Sequence, residues 1–419
     1  MSYRVPALIL LAAMILPASM TAENWPHWRG PQRSGVSPTI DLPSSWSATE
    51  NIVWKLALPE TSGSTPIIWK DHVFLNVAQG EELSIWAVSR QDGSVLWKRS
   101  LDNRNEDKRK GNMSSPSPVT DGRSVWVMTG TGILTAFDFE GNQLWQRDLQ
   151  KDYGKFGILH GYSSSPLFHD GILYVQVLHG FHTDDPSYVL AIDGTSGKNL
   201  WRVERPTDAP KEAPDAYTTP ALLQGNGKAV IVISGADYVT GHEPETGAEI
   251  WRVGGLNPTR NPMQRIVASP VVVGQRIFVP SRVRPLLALS AAAGVEVEPQ
   301  VVWSMDRGPD VPTPVADDNY LYLLNDKGIL WCLEGTTGDV VWGPERIESA
   351  VYSASPLLAD GKLYATSEQG LTTVIKAGPE FEILQQSSVD EFTLASLAAV
   401  DGQIFLRTSE HLYCIDDRD

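Results

Sequence analysis

Cysteine, clusters of basic residues and long apolar segments are all scarce in this sequence. The chain of 419 residues has two cysteines, a formal net charge of −16 and no run rich in Lys or Arg. An acidic chain without such a run lacks the electrostatic footprint of a nucleic-acid-binding protein, and its charge opposes adsorption to an anionic membrane surface. No segment beyond the N-terminal region is apolar enough to span a membrane. We therefore expect a soluble monomer without a nucleic-acid partner or a membrane span.

The N-terminus has the pattern of an export signal. Arg4 is a minimal basic region, and the apolar stretch of residues 7–16 is followed by small residues. This pattern predicts a signal peptide at residues 1–22, and no cysteine follows it to carry a lipid anchor. We expect a periplasmic or secreted protein in which residues 23–49 form an extension packed on the main domain, residues 50–419.

A short segment recurs eight times in that domain. Seven copies begin with Ser or Thr followed by Pro, and the eighth has Ser396-Leu397 instead. Two or three apolar residues follow, often with an Asp-Gly pair and then an alternating strand. Asp-Gly suits a tight hairpin because both residues tolerate a positive φ. The seven prolines are Pro66, Pro118, Pro166, Pro220, Pro270, Pro314 and Pro356.

Most copies also end alike, on a tryptophan. The segment Ala191–Trp201 (AIDGTSGKNLW) is the clearest, whereas Leu384 replaces the tryptophan of the seventh copy. Trp54 precedes the first proline-led start, so its strand supplies the missing end of the eighth copy. An indole at the end of each unit offers a large flat surface to the next unit. We expect this docking role for Trp54, Trp97, Trp145, Trp201, Trp251, Trp303 and Trp342.

The repeats predict an all-β fold, an eight-bladed β-propeller of four-stranded antiparallel blades. One such sheet cannot bury both faces, so the units must stack around an axis. Pairing of the Trp54 strand with the last blade closes the ring. Cys332 and Cys414 occupy the slot that Ala191 fills in its repeat. Slots two blades apart are too distant for a disulfide, so we expect two buried free thiols.

The pattern A-x-D-x-x-[ST]-G-K-x-x-W at Ala191–Trp201 resembles the tryptophan-docking motif of the PQQ-repeat superfamily. The resemblance extends over roughly residues 51–419, and the segment Asn24–Pro31 (NWPHWRGP) is similar to the start of many exported propellers of this type. The superfamily includes quinoprotein alcohol dehydrogenases and the outer-membrane assembly propeller BamB. Because the motif holds blades together, the resemblance implies the fold and leaves the function open.

Resemblance to the dehydrogenases would imply the cofactor PQQ, a Ca²⁺ ion that polarises it, a carboxylate base, and a tryptophan and a disulfide of adjacent cysteines that clamp its ring. The chain has no adjacent cysteines and no recognisable Glu/Asn/Asp calcium set. We therefore predict a BamB-like, non-catalytic binding platform for an envelope protein or a small extracytoplasmic ligand, with no catalytic residue, metal or cofactor. The alternative is a PQQ-dependent alcohol or sugar dehydrogenase with a divergent site; a glycan-binding propeller is a third hypothesis.

Segments just before the proline-led starts enter the innermost strands and should line one mouth of the central channel. Polar and aromatic residues that converge on such a mouth are typical of a ligand pocket. Alternatively, they hydrogen-bond from blade to blade and line a water-filled channel. The candidate ligand-binding residues are Asn112, His160, Tyr162, Tyr217, Arg265 and Tyr352.

Two further groups of residues have simpler structural interpretations. Trp25, Trp28 and Arg29 could form a ligand surface, but we expect them to tie the extension to the propeller by stacking and cation–π contact. Half of the eight histidines lie between residues 160 and 182 without the spacing of a zinc site, and most of them fall at predicted turns or loops. We predict no metal site there.

Overall fold

The computed structural model describes residues 23–282 and 284–418, and the predicted signal peptide lies outside these ranges. The described strands form eight four-stranded antiparallel sheets, which confirms the predicted all-β, eight-bladed propeller. Within these ranges the only α-helix is a short one, α1 (Leu149–Tyr153), which follows the last strand of blade 2. No described helix is long and apolar enough to cross a membrane.

In blades 1 to 7 the four strands follow one another in chain order, and the first strands of neighbouring blades contact one another around the channel. Blades 1 to 4 consist of β2 (Ile67–Trp69), β3 (His72–Gln79), β4 (Glu82–Ser89) and β5 (Val95–Asp102); β6 (Val119–Thr120), β7 (Ser124–Met128), β8 (Ile133–Asp138) and β9 (Gln143–Asp148); β10 (Leu167–His169), β11 (Ile172–Val177), β12 (Tyr188–Asp193) and β13 (Asn199–Glu204); and β14 (Ala221–Gly225), β15 (Lys228–Gly235), β16 (Tyr238–His242) and β17 (Glu249–Val253).

Blades 5 to 7 have the same strand order, and blade 8 takes its outer strand from the N-terminal part of the chain. These blades consist of β18 (Val271–Val273), β19 (Arg276–Pro280), β20 (Leu286–Ser290) and β21 (Gln300–Met305); β22 (Val315–Ala316), β23 (Tyr320–Leu324), β24 (Ile329–Glu334) and β25 (Val340–Arg346); β26 (Leu357–Ala359), β27 (Lys362–Thr366), β28 (Leu371–Lys376) and β29 (Ile383–Ser388); and β30 (Ala398–Val400), β31 (Gln403–Arg407), β32 (His411–Ile415) and β1 (Ile52–Ala57).

The ring closes where β1 joins blade 8. It pairs antiparallel with β32, with Trp54 opposite Cys414 and Leu56 opposite Leu412. The predicted closure by the Trp54 strand is therefore confirmed. Because this sheet joins the two ends of the domain, neither end leaves an unpaired strand in the ring.

The core lies between adjacent blades. One cluster joins Trp126 and Met128 of blade 2 to Leu173 and Val175 of blade 3. The second and third strands of a blade are buried on both faces and are mostly apolar, whereas most of an outer strand such as β5 alternates between half-buried and exposed residues. Cys332 and Cys414 are buried free thiols as predicted, and burial raises the pKa of each to about 12.

Each of the seven predicted docking tryptophans donates its indole N–H to a backbone carbonyl of the next blade. Small residues make the contact possible: a Cβ on Gly197, whose φ is +70°, would lie 2.6 Å from the ring of Trp145. The pairs are Trp54 to Arg90 (2.8 Å), Trp97 to Phe139 (2.8 Å), Trp145 to Gly194 (2.9 Å), Trp201 to Pro244 (2.8 Å), Trp251 to Val295 (3.0 Å), Trp303 to Gly335 (3.2 Å) and Trp342 to Gly378 (2.9 Å).

Candidate functional site at the mouth of the channel

A ring of hydroxyl groups surrounds the channel where the inner strands begin. In seven of the eight repeats, all but that of Thr65, the Ser or Thr at this position accepts a hydrogen bond from the backbone N–H of the equivalent residue in the preceding blade. The recurring Ser/Thr-Pro pair therefore joins the blades at the hub, and its proline has no N–H to leave unpaired. These accepting hydroxyls, the hub hydroxyls, are Ser117 (2.9 Å), Ser165 (2.9 Å), Thr219 (3.1 Å), Ser269 (2.9 Å), Thr313 (2.9 Å), Ser355 (2.9 Å) and Ser396 (3.0 Å).

The N-terminal extension covers one mouth of the channel. Trp25 exchanges two backbone hydrogen bonds with Ile68 of β2, at 2.8 and 2.9 Å. Val36 forms a parallel bridge with Leu358 of β26, and the side chain of Ser37 donates to the carbonyl of Ala399 in β30. Backbone and side-chain contacts thus fasten the extension to blades 1, 7 and 8.

Arg29 lies at the centre of this closed mouth and is 4% exposed. Its guanidinium donates to the carbonyls of Pro356 at 2.8 Å and Pro314 at 2.9 Å, which belong to two proline-led starts. The guanidinium carbon lies 5.9 Å from the ring centroid of Trp28, within the range of the predicted cation–π contact. Burial lowers the pKa of Arg29 to about 9, so it remains charged at neutral pH.

The opposite mouth opens into a cavity of about 550 Å³. Trp28 lines this cavity and also a small cavity beside Arg29, so the indole separates the open mouth from the closed one. Six of the hub hydroxyls lie on the cavity wall: Ser117, Ser165, Thr219, Thr313, Ser355 and Ser396. The volume is within the range of small-molecule pockets in proteins.

Five of the six predicted site residues line this cavity: Asn112, His160, Tyr162, Tyr217 and Arg265. Tyr352 does not. It is fully buried among the side chains of blades 6 and 7, and its hydroxyl donates to the carbonyl of Glu348 at 3.2 Å. Its neighbour Ser353 lines the cavity instead, because successive side chains of a non-helical segment point in opposite directions.

Two of these five residues also connect segments of the propeller. The amide of Asn112 donates to the carbonyl of Thr61 at 3.0 Å, and its oxygen accepts the backbone N–H of Ser114 at 3.0 Å. The hydroxyl of Tyr162 donates to the carbonyl of Gln176 at 2.9 Å. Asn112 and Tyr162 are therefore positioned by structural hydrogen bonds while they face the cavity.

His160, Tyr217 and Arg265 form a linked group around one buried carboxylate. Glu212 is 2% exposed, and its Oε1 lies 3.4 Å from Nε of Arg265 and 3.5 Å from Nε2 of His160. The hydroxyl of Tyr217 accepts the backbone N–H of His160 at 3.1 Å. Burial and the neighbouring Arg265 lower the pKa of His160, so its ring is neutral at pH 7.

Two aspartates extend this polar group on the cavity wall. Asp310 lies between Arg265 and Arg282, at 3.7 and 3.6 Å, and burial raises its pKa against the influence of Arg265. Both oxygens of Asp326 accept backbone N–H groups, from Val311 at 3.0 Å and Asp310 at 2.9 Å.

Asp215 holds the loops behind the cavity together. This fully buried carboxylate accepts the backbone N–H groups of Leu159 at 2.9 Å, Gly180 at 3.0 Å and Phe181 at 3.1 Å. Burial raises its pKa to about 6, and the three N–H groups partly offset that effect. The position of His160 and of the loop at Gly180 therefore depends on one titratable group.

Several cavity residues are absent from the sequence-based candidates. Arg109, Lys110, Arg282 and Lys327 all line the mouth. They belong to the connecting segments between strands, where the repeat is least regular. The hub hydroxyls belong to the recurring Ser/Thr-Pro pair, which is visible in the sequence. That pair marks the repeats but does not indicate where the hydroxyls point.

Among the described residues, one group of His, Cys, Asp and Glu is close enough to share a metal ion. It consists of Glu391, Glu410 and His411 and lies outside the cavity lining. Glu391 already accepts hydrogen bonds from Tyr413 at 2.6 Å and Thr408 at 2.5 Å. The carboxylate of Glu391 therefore has hydrogen-bond partners without a metal ion.

The family that this sequence matches is consistent with the propeller fold. Residues 44–158 and 155–344 match the family described as outer membrane protein assembly factor BamB. The chain belongs to this family. BamB from Moraxella catarrhalis has a similar fold, with a TM-score of 0.65 and 13% identity over 87% of this chain and 99% of that one.

Quinohemoprotein alcohol dehydrogenases are also similar. The enzyme from Comamonas testosteroni gives a TM-score of 0.70 with 11% identity, over 93% of this chain and 80% of that one. Alcohol dehydrogenase ADH-IIG from Pseudomonas putida is 29% identical over 145 residues, which are 32% of this chain. The chain spans 19% of the length of that curated relative. The similarity to these structures establishes a shared fold.

Proposed function

We propose that the chain is an exported, non-catalytic propeller that binds an envelope protein or a small extracytoplasmic ligand at the open mouth of its channel. The proposal rests on one observation: the carboxylates on and behind the cavity wall already contact other groups of the protein. Glu212 and Asp310 face arginines, and Asp326 is used by backbone N–H groups. A carboxylate that acts as the general base must be free to take a proton from the substrate.

The cavity residues do not fit a calcium ion with PQQ. Calcium requires six to eight oxygen ligands, with carboxylates among them. A cation beside Asp310 would lie against the guanidinium groups of Arg265 and Arg282. The amide oxygen of Asn112 is already an acceptor for the backbone and side chain of Ser114. Binding of a protein or a small ligand does not require a calcium site.

A titration with PQQ, with and without Ca²⁺, tests the absence of catalysis. We expect no dye-linked oxidation of alcohols or sugars, with or without Ca²⁺, and no change in quinone absorbance that requires Ca²⁺. One-to-one binding with turnover that disappears on chelation would refute the proposal.

Site-specific photo-crosslinking tests the location of binding. A photo-reactive residue at Lys327, on the open mouth, should give a discrete cross-linked product in cells that export the protein. Lys198 is an exposed control in the β12–β13 hairpin, outside the cavity lining. Equal cross-linking from both positions would contradict binding at the mouth.

A PQQ-dependent oxidoreductase is the second candidate. It is favoured by the local 29% identity to a quinohemoprotein alcohol dehydrogenase and by the indole of Trp28 on the cavity wall, a flat surface for a ring. This candidate predicts that Trp28→Ala abolishes both PQQ binding and turnover. If the parent protein gives a flat titration, the candidate fails.

A further inference from the structure

The open mouth is basic although the protein as a whole is acidic. Five basic residues line the cavity, against the two aspartates Asp310 and Asp326. Behind the wall, Glu212 faces Arg265 and Glu368 pairs with Lys110 at 2.5 Å. Among the residues that line the cavity itself, positive charges exceed negative ones, and the buried Asp215 is a third carboxylate behind the wall. The chain carries a net charge of −16, so this local excess of positive charge runs against its composition.

The guanidinium groups at this mouth have unused donors. Arg265 is close to Glu212 and Asp310, but it donates no hydrogen bond to any described residue. Its side chain is 16% exposed, so bulk water reaches little of it. Arg109 is exposed at the rim and has neither a hydrogen bond nor an ion pair with the described part of the chain. A planar guanidinium with free N–H groups suits a carboxylate or phosphate.

The hub hydroxyls add donors deeper in the cavity. Each hydroxyl oxygen accepts a backbone N–H from the preceding blade, as at Ser165 and Thr313. None of the six that line the cavity donates its own proton to a described residue. A hydroxyl whose oxygen is already an acceptor offers its proton to a ligand or water. The cavity therefore presents donors from rim to base.

We infer that this cavity binds a small molecule with two or more carboxylate or phosphate groups. Arg265 and Arg109 would hold its charged groups at the rim, and the hub hydroxyls would hold an oxygen deeper in the channel. This inference rests on the proposed function, because it names the ligand class of the same mouth. The cavity of about 550 Å³ suits a small molecule, and Trp28 with the extension behind it keeps a polypeptide from threading through the channel.

Calorimetric titrations with three defined anions and one neutral compound test the inference. The anions are benzene-1,3,5-tricarboxylate, citrate and inorganic phosphate, and the flat neutral compound is 1,3,5-trihydroxybenzene. The full mature chain is used in metal-free Tris buffer, so that calcium cannot contribute. We expect at least one carboxylate or phosphate probe to bind at one site, at least tenfold more tightly than the neutral compound. Added salt should weaken that binding because the contacts are ionic.

Two variants assign the binding to the mouth. Arg265→Gln and Arg109→Gln should each weaken the anion at least threefold, and Arg265→Lys should recover only part of the loss because it lacks the guanidinium fork. Arg123→Gln is the matched control. It removes an exposed charge from the β6–β7 hairpin, which contacts the extension through Thr120 and Pro26 at the closed mouth.

The outcomes separate the inference from the proposed function. Equal binding of the neutral compound, anion binding that survives both mouth variants, or no binding of any anion at millimolar concentration would overturn the inference. Each of these results leaves the non-catalytic proposal standing. Turnover with PQQ and Ca²⁺ would overturn the proposed function, whatever the anion titrations give.

Discussion

The two mouths of the channel are built from the same eight inner strands, but different segments complete them. At the closed mouth the extension places Arg29 against the carbonyls of Pro314 and Pro356, and both of its terminal nitrogens donate hydrogen bonds. At the open mouth Arg109 faces the cavity without an ion pair to the described chain, and Arg265 has ion pairs with Glu212 and Asp310 but donates no hydrogen bond to a described residue. The comparison separates arginines that hold the fold from arginines that are available to a ligand. Similar repeats can carry both kinds of arginine because these arginines belong to the segments outside the repeated strands.

The largest expected effect is at the closed mouth. Arg29→Ala leaves two inner-strand carbonyls buried without a donor, and we expect the free energy of unfolding to fall by about 3 kcal/mol. Chemical denaturation measures the loss. Limited proteolysis with trypsin should show faster cleavage after Arg33 as the extension detaches.

Gly35→Ala tests the same contact without removing the arginine. The φ of Gly35 is +83°, and an added Cβ would lie 2.0 Å from the Arg29 guanidinium. This variant should also destabilise the closed mouth. Unchanged stability in both variants would mean that the extension does not depend on Arg29.

The second prediction concerns pH and the open mouth. Burial raises the pKa of Asp215 from 3.8 to about 6, so the folded protein holds a proton that the unfolded chain releases. Its contribution to stability is therefore most favourable below pH 4 and is lost as the pH rises through 6. The loss amounts to about 3 kcal/mol at most.

Asp215→Asn removes this titration. The difference in unfolding free energy between the parent and the variant should change between pH 4 and pH 7, with the parent losing stability relative to the variant. Asp184→Asn, at an exposed carboxylate in the nearby loop, serves as the control. A parent-minus-variant difference that is flat with pH would show that Asp215 stays ionised throughout. Arg29 at the closed mouth stays charged in this range because its pKa is about 9.

The repeated parts of both mouths could be predicted from the sequence, and the rest could not. Trp54 identified the closing strand because the same slot recurs in seven blades. Ser353 and Tyr352 illustrate the limit: the proline-led start located the segment, but not which of two neighbouring side chains faces the cavity. Arg109 and Lys327 lie in connections that differ from blade to blade. No pattern marked them, and only the folded ring brings them together.

The hub hydroxyls lie between the two mouths and should show a smaller effect. Ser165→Ala removes the oxygen that accepts the N–H of Ser117 at 2.9 Å. One buried N–H then lacks a partner, which we expect to cost about 1 kcal/mol. Thermal denaturation should detect the change. Ser165→Thr keeps the acceptor and should recover most of the stability, whereas an equal loss in both variants would point to packing instead.

The smallest expected change in stability is that of a substitution at Arg109, on the rim of the open mouth. Arg109→Gln has no ion pair or hydrogen bond to break within the described chain, so we expect the unfolding free energy to change by less than about 0.5 kcal/mol. A structural arginine at the rim would give a loss closer to that of Arg29→Ala. Stability unchanged within this margin, together with weaker anion binding, would mean that Arg109 is kept available for a ligand. A clear loss of stability would instead make the two mouths alike and remove the distinction between them.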